Sequence, residues 1–283
     1  MFLKILKTIL FGIVEGITEW LPVSSTGHLK LFNTFCPLPF SAEFMEMFEY
    51  VIQLFATLAV VILFWEKIFP LKKSEEKKSL VWDTDVLRTW LKIIVACVPA
   101  LSAVLIDKLL EPIQGTLTET LLISITLVLY GVLFIVVERA LKNKTPKINS
   151  IAELTVKTAF FIGLSQVLAV IPGTSRSGVT ILAALLLSTS RETAAEFTFL
   201  LAIPTMIGTS GYKILKFILS GASVSSSEIW LLVLGCAVAF VVSLLTVRLL
   251  MSFVKKHRFT PFGYYRIALG IVVLCAVVLP AVL

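Results

Sequence analysis

Three runs in this chain, residues 120–137, 229–247 and 267–283, contain no charged side chain at all. Each is about one membrane helix long, since an α-helix needs about 20 apolar residues to cross a hydrocarbon core of about 30 Å. In lipid only α-helices and closed β-barrels satisfy every backbone polar group. A barrel would show alternating segments of about ten residues, and the chain has none. The expected fold is therefore all-α, a polytopic integral membrane helical bundle. Composition agrees: 58% of residues are hydrophobic and 15% charged, against about 25% charged in a soluble domain. The opening MFLKILKTILFGIVEG has the outline of a signal peptide. Glu15 cuts its apolar stretch and no small-residue cleavage site follows, so this segment is expected to remain in the mature protein.

A net charge of +7 raises nucleic acid as a partner, but the distribution of that charge points elsewhere. Residues 66–88 hold six Lys/Arg, 138–153 four and 251–266 four, against one in 107–119 and two in 213–228. Basic loops alternating with nearly neutral ones form the positive-inside pattern of a membrane protein. The cysteines Cys36, Cys97, Cys236 and Cys275 form no CxxC pair and read as small apolar residues.

The chain also repeats itself weakly at an offset of about 150 residues. KTILFGIVEGITEWLPVSSTG, from Lys7, lies over KTAFFIGLSQVLAVIPGTSRS, from Lys157. Lys-Thr, a Phe, the Pro and the hydroxyl cluster behind it coincide. Further on, Glu46 lies over Glu196, and Trp90 over Trp230 after a ten-residue deletion. One membrane domain of two repeats results, 1–140 and 150–283, each with a broken hairpin (8–36 and 158–187) and three spans. Within each hairpin an apolar segment, 8–21 or 158–171, ends at Pro22 or Pro172. About fourteen residues rise about 21 Å, too little to cross the core. Paired short helices of this kind read as re-entrant, because non-helical backbone at that depth is tolerated only where it lines a cavity. With the basic loops cytoplasmic, spans 44–65, 89–106 and 120–138 run opposite in sense to spans 196–216, 228–250 and 264–283. The expectation is an inverted-topology repeat of about six full transmembrane spans, its two hairpin tips meeting near the midplane.

The tips carry the polar residues. Glu15 and Glu19 stand four apart on one helical face, and a charge at bilayer depth costs about 2.5–3.5 kcal/mol. Snorkelling to the interface accounts for Glu43 and Glu46 as readily as function does, but poorly for Glu19. Glu49 and Gln53 continue a polar face on the next span. Pro22, Ser24, Ser25, Thr26 and Gly27 have the chemistry of a helix start, whose unpaired N–H groups attract phosphate or carboxylate. His28 follows within reach of such a ligand. The second tip, Pro172-Gly173-Thr174-Ser175-Arg176-Ser177-Gly178, repeats this pattern, with an arginine where the first has Thr26. Arg176 at that depth calls for an anion, either a partner such as Glu19 or a phosphate. There is no Walker A, HExxH or GxSxG, so nucleotide hydrolysis, zinc proteolysis and hydrolase-fold chemistry lack support.

EGITEWLPVSSTGH and PGTSRSG, with FEYVIQL between them, resemble the undecaprenyl-diphosphate phosphatases, the bacitracin-resistance phosphatases of bacterial membranes. The resemblance runs the length of the chain, with Trp20 replacing a more usual Phe. It implies hydrolysis of undecaprenyl diphosphate to the monophosphate at the extracytoplasmic side of the bacterial cytoplasmic membrane, recycling the lipid carrier for peptidoglycan synthesis. The catalytic positions it implies are Glu15, Glu19, Ser25, His28 and Arg176. It also implies a divalent metal, Mg²⁺ being the expected ion, although the sequence shows no self-evident metal cage; Glu19, and more loosely Glu15, would orient His28 or Arg176 or hold that ion against the diphosphate. Ser24, Thr26, Gly27, Thr174, Ser175, Ser177, Gln53 and Glu49 are the candidate substrate-binding residues around them. The expected partners are a polyprenyl diphosphate lipid and the membrane, with no nucleic acid; a homodimer is compatible with the sequence but not specified by it. Three routes stay open: attack by Ser25 with His28 as base, attack by His28, or attack by a water that Glu19 activates. A transporter of polyprenyl phosphates would use the same architecture and is the competing reading. An intramembrane serine protease would have no use for Arg176.

Overall fold

The computed structural model describes residues 1–73, 80–102, 106 and 116–282. The chain opens with α1 (Phe2–Thr18) and α2 (Ser25–Phe35), then α3 (Ala42–Leu63) and the short α4 (Trp65–Ile68). A small antiparallel hairpin follows, β1 (Leu71–Lys73) against β2 (Leu80–Trp82), with Leu71 opposite Trp82. It lies in the first basic loop and is the only sheet among the described residues. Next come α5 (Thr84–Cys97), continued by a 3₁₀ turn over Val98–Ser102, and α6 (Leu117–Ala140). The second half has α7 (Val156–Ser165), extended by a 3₁₀ turn over Gln166–Val170, then α8 (Arg176–Leu186) and α9 (Arg191–Leu219). α10 (Ser226–Val254) and α11 (Thr260–Val273) close the bundle, the latter running through a π-helical turn at Leu274–Val278 into α12 (Leu279–Val282).

The capping chemistry explains many of these starts. Ser41, Thr116, Thr155 and Ser190 each accept a backbone N–H of the first turn of their helix, and Ser225 with Glu228 forms a full capping box. Asp83 caps α5, and its bond from Lys72 holds its carboxyl below the usual range.

Among the described residues, four helices are long and apolar enough to cross a membrane: Ala42–Leu63, Leu117–Ala140, Ser226–Val254 and Thr260–Val278. They coincide with expected spans 44–65, 120–138, 228–250 and 264–283. The expected span 196–216 falls within α9, which has 29 residues but carries Arg191, Glu192, Glu196, Lys213 and Lys216. The end of expected span 89–106, and most of loop 107–119, lie outside the described residues. α1 begins at Phe2, earlier than the expected 8, and its 17 residues rise about 26 Å. The second apolar segment is not one helix, since α7 tightens into 3₁₀ geometry at Gln166.

Packing obeys an exchange rule. α1 packs on α10, and α7 packs on α5; α3 packs on α9, and α6 on α11. α3 and α9 run antiparallel; Lys213–Glu46 joins them at one end, and at the other Lys67 of α4, which follows α3, pairs with Glu196, both at 2.6 Å. Small residues set the close approaches, as they do where lipid supplies no hydrophobic drive. A Cβ on Gly131 would stand 2.7 Å from the Gly263 carbonyl, and one on Gly263 would stand 2.7 Å from the Gly131 carbonyl. Phe11, Phe48, Phe134, Phe197 and Phe199 are fully buried, whereas Ile125, Leu129, Val241, Leu245 and Leu249 face outward. Of the cysteines, Cys236 is buried as expected, Cys36 and Cys97 are half-buried, and Cys275 is exposed.

Candidate active site

Two helix starts meet at the centre, and they are built alike. Ser24 caps α2 and accepts from Gly27 N at 3.3 Å; Ser175 caps α8 and accepts from Gly178 N at 3.1 Å. Both caps are left-handed, with φ of 74° and 73°, a conformation that costs a non-glycine residue about 1–3 kcal/mol. The first helical residues are then Ser25 and Arg176. This corrects the sequence alignment, which sets Arg176 against Thr26. The second loop has one more residue between its proline and its cap, so Arg176 stands at the place of Ser25. Gly173 absorbs that extra length at φ 83°, so close to α6 that a Cβ would lie 2.8 Å from the Ile123 backbone.

Arg266, from α11, binds both loops together. It is fully buried; Nη1 donates to Pro22 O at 3.0 Å, and Nη2 to Gly173 O and Thr174 O at 2.8 and 3.0 Å. Its guanidinium also lies over the Tyr130 ring. Ser177 adds a second tie, donating to Glu19 O and Leu21 O across the gap. Thr126 ties the second loop to α6, its hydroxyl donating to Pro172 O.

Glu19 is the hub of this junction. Its Oε2 accepts from Ser25 Oγ at 2.5 Å and from Gln53 Nε2 at 3.0 Å; its Oε1 accepts from Arg176 Nη2 at 2.7 Å. Arg176 Nη1 reaches Thr205 Oγ1 at 3.3 Å. These bonds use two of the five N–H donors of Arg176. Residues of α2, α3 and α8 thus converge on the carboxylate that ends α1, and α9 reaches it only through Arg176. Beside it a cavity of about 10 Å³, lined by Glu19, Trp20, Arg176, Ser177 and Thr198 among others, has room for about one water.

His28 is placed differently from the expectation of a base for Ser25. Its Nδ1 bonds Ser24 O at 2.7 Å and its Nε2 bonds Tyr265 Oη at 2.7 Å, while Ser25 points to Glu19. Glu15 lies one turn before Glu19, fully buried, with neither oxygen hydrogen-bonded among the described residues. Glu49, one turn before Gln53, is half-buried and enters none of the bonds to Glu19. Ser24, Ser175 and Ser177 hold the loops, Thr174 and Gly27 are buried within them, and Thr26 is exposed. Arg266, Tyr265 and Thr205 were not legible as site residues. Arg266 counted as a loop charge, although an arginine opening an apolar run is itself a signal.

A family described as "Bacitracin resistance protein BacA" matches residues 8–272. The chain is 52% identical over 274 residues to an undecaprenyl-diphosphatase of Enterococcus faecalis, covering 96% of this chain and 97% of that one. A relative of the same name in Lachnoclostridium phytofermentans is 49% identical over 272 residues, 96% of each chain. Another, in Streptococcus thermophilus, is 46% identical over 275 residues, 96% of this chain and 93% of that one. The site and fold define a multi-helix membrane protein with a buried polar centre. The chain belongs to the BacA family.

Proposed function

We propose that this protein hydrolyses undecaprenyl diphosphate, the substrate named in its relatives, to undecaprenyl phosphate and inorganic phosphate. The observation that carries the mechanism is the chain Ser25–Glu19–Arg176. Arg176 and the N–H groups opening α2 and α8 bind the diphosphate, where phosphoryl transfer needs charge neutralisation most. Ser25 Oγ attacks the terminal phosphorus while its proton passes to Glu19 Oε2, 2.5 Å away. The anhydride P–O bond breaks and the lipid monophosphate leaves. Water then attacks the phosphoserine, Glu19 returns its proton to Ser25 Oγ, and the proton shed by the water goes to the medium. Glu19 takes the role of base that the sequence offered to His28, because Ser25 bonds Glu19 and not the imidazole.

A divalent cation fits one feature of this site: the two buried, unpartnered oxygens of Glu15 beside Glu19. Among the described residues no three His, Cys, Asp or Glu side chains gather as a protein-only metal site. Glu15 and Glu19 would hold Mg²⁺ together with phosphate oxygens, the habit of that ion. When bound it would neutralise charge on the diphosphate.

The reading extends to topology. The exchange of packing partners between halves, the paired ion bridges from α3 and α4 to α9 and the twin serine caps support an inverted repeat, 1–140 and 150–283, with re-entrant hairpins. The basic loops support a site open to the extracytoplasmic side and a role in recycling the carrier for cell-wall synthesis. Cysteines introduced at Ser223 and Lys144, in a cysteine-free background, should label from outside and inside respectively; the reverse pattern would overturn the sidedness. The activity itself is tested by phosphate release from polyprenyl diphosphate by purified protein in detergent. A transporter would release none, there being no membrane to cross.

A further inference from the structure

Ser25 presents its hydroxyl to Glu19 from a strained peptide, because the residue before it, Ser24, is left-handed. Something has to hold that peptide in place. Its carbonyl accepts two bonds from His28, one from the backbone N–H at 3.2 Å and one from the ring Nδ1 at 2.7 Å. A carbonyl can only accept, so Nδ1 carries the proton. The other ring nitrogen, Nε2, faces Tyr265 Oη at 2.7 Å, with the two rings parallel to within 2°. Among the described residues no carboxylate bonds either nitrogen, and the guanidinium of Arg266 is an electrostatic neighbour. Beside a guanidinium and without a carboxylate partner the ring is read as neutral, so Nε2 is the acceptor and the phenol donates.

We propose that Tyr265 and His28 are positioning residues, a strut that runs Tyr265 O–H to Nε2, then Nδ1–H to the Ser24 carbonyl, and aims Ser25 at Glu19. The inference rests on the phosphatase reading for its kinetic consequences only. It assigns His28 no proton transfer with Ser25 and gives a role to Tyr265, a residue of α11 that lies 237 positions away in sequence. Misplacing a reacting atom by about 1 Å costs about 10²-fold in rate, so the strut is expected to act on kcat with KM nearly unchanged, since Arg176 and the helix N-termini still hold the phosphates.

The chain has two histidines, and His257→Gln removes the second signal, so ¹⁵N-histidine NMR of detergent-solubilised protein reads His28 directly. The wild-type ring should be protonated at Nδ1 and bare at Nε2, and Tyr265→Phe should move the Nε2 resonance while lowering kcat about tenfold. His28→Asn, whose amide can still donate to the Ser24 carbonyl, should recover most of the turnover lost in His28→Ala. A wild-type ring protonated at Nε2 would overturn the strut. So would His28→Asn as inactive as His28→Ala, or wild-type kcat in Tyr265→Phe. If the wild type released no phosphate, the phosphatase reading would fail, and the tautomer would still decide the strut.

Discussion

The two helix starts share a backbone and differ in chemistry. Each has a proline, a serine cap near φ 74° and a glycine N–H closing the cap. At the first helical position one carries Ser25 and the other Arg176. One presents a hydroxyl and the other a cation, and Glu19 receives both, on different oxygens. On the proposed mechanism, two copies of one shape carry complementary parts of a phosphoryl-transfer site. Shape sets where the atoms stand, and the residue at one position sets what each start does.

The largest test of this division is Ser25→Ala. If the first loop supplies the nucleophile, phosphate release should fall by about 10³-fold or more while lipid binding persists. Turnover within tenfold of wild type would hand the attack to water. Arg176→Lys comes next. It keeps the charge at the second loop but loses the planar fork, so turnover measured at saturating substrate should fall about 10²-fold in a protein that folds normally. Near-wild-type turnover would mean that Arg176 only neutralises Glu19.

The tie between the loops gives a smaller effect. Arg266→Lys cannot reach three carbonyls from two elements, and leaving such groups unsatisfied costs about 1–3 kcal/mol. Thermal unfolding in detergent should show the loss, and saturating turnover should drop about tenfold; unchanged values for both would make Arg266 a bystander. The caps provide the smallest and most symmetric comparison. Ser24→Gly and Ser175→Gly lose a cap worth only a few tenths of a kcal/mol against glycine and relieve the left-handed strain. Both variants should unfold no earlier than wild type, whereas Ser→Ala at either position should cost about 1 kcal/mol. A large difference between the two loops would show that they are not structural equivalents.

Most of the candidate site could be read from the residues, because polar groups are costly in a chain this apolar and therefore conspicuous. Glu15, Glu19, Ser25 and Arg176 stood out in that way. Glu19 was one of the two anions that the sequence offered Arg176, and the structure pairs them, but the partner of Ser25 did not stand out. Alignment by residue type set Arg176 against Thr26, since it cannot see which serine turns left-handed. His28 looked like the base for Ser25, since sequence proximity carries no side-chain direction. Arg266 and Tyr265 were hidden for a different reason: in a count of loop charges or an apolar run, nothing marks a residue that bonds a loop 93 positions away or a helix residue 237 positions away.

By itself the sequence determined the solvent and the element type, because uncharged runs of helix length leave the backbone no other way to satisfy its hydrogen bonds in lipid. It also determined the chemistry available at the two proline-broken loops. Only the tertiary structure decided how that chemistry is wired. Ser25 meets Glu19 because the left-handed φ of Ser24 turns the start of α2 towards α1, and Arg176 meets it because α8 docks from the other half of the chain.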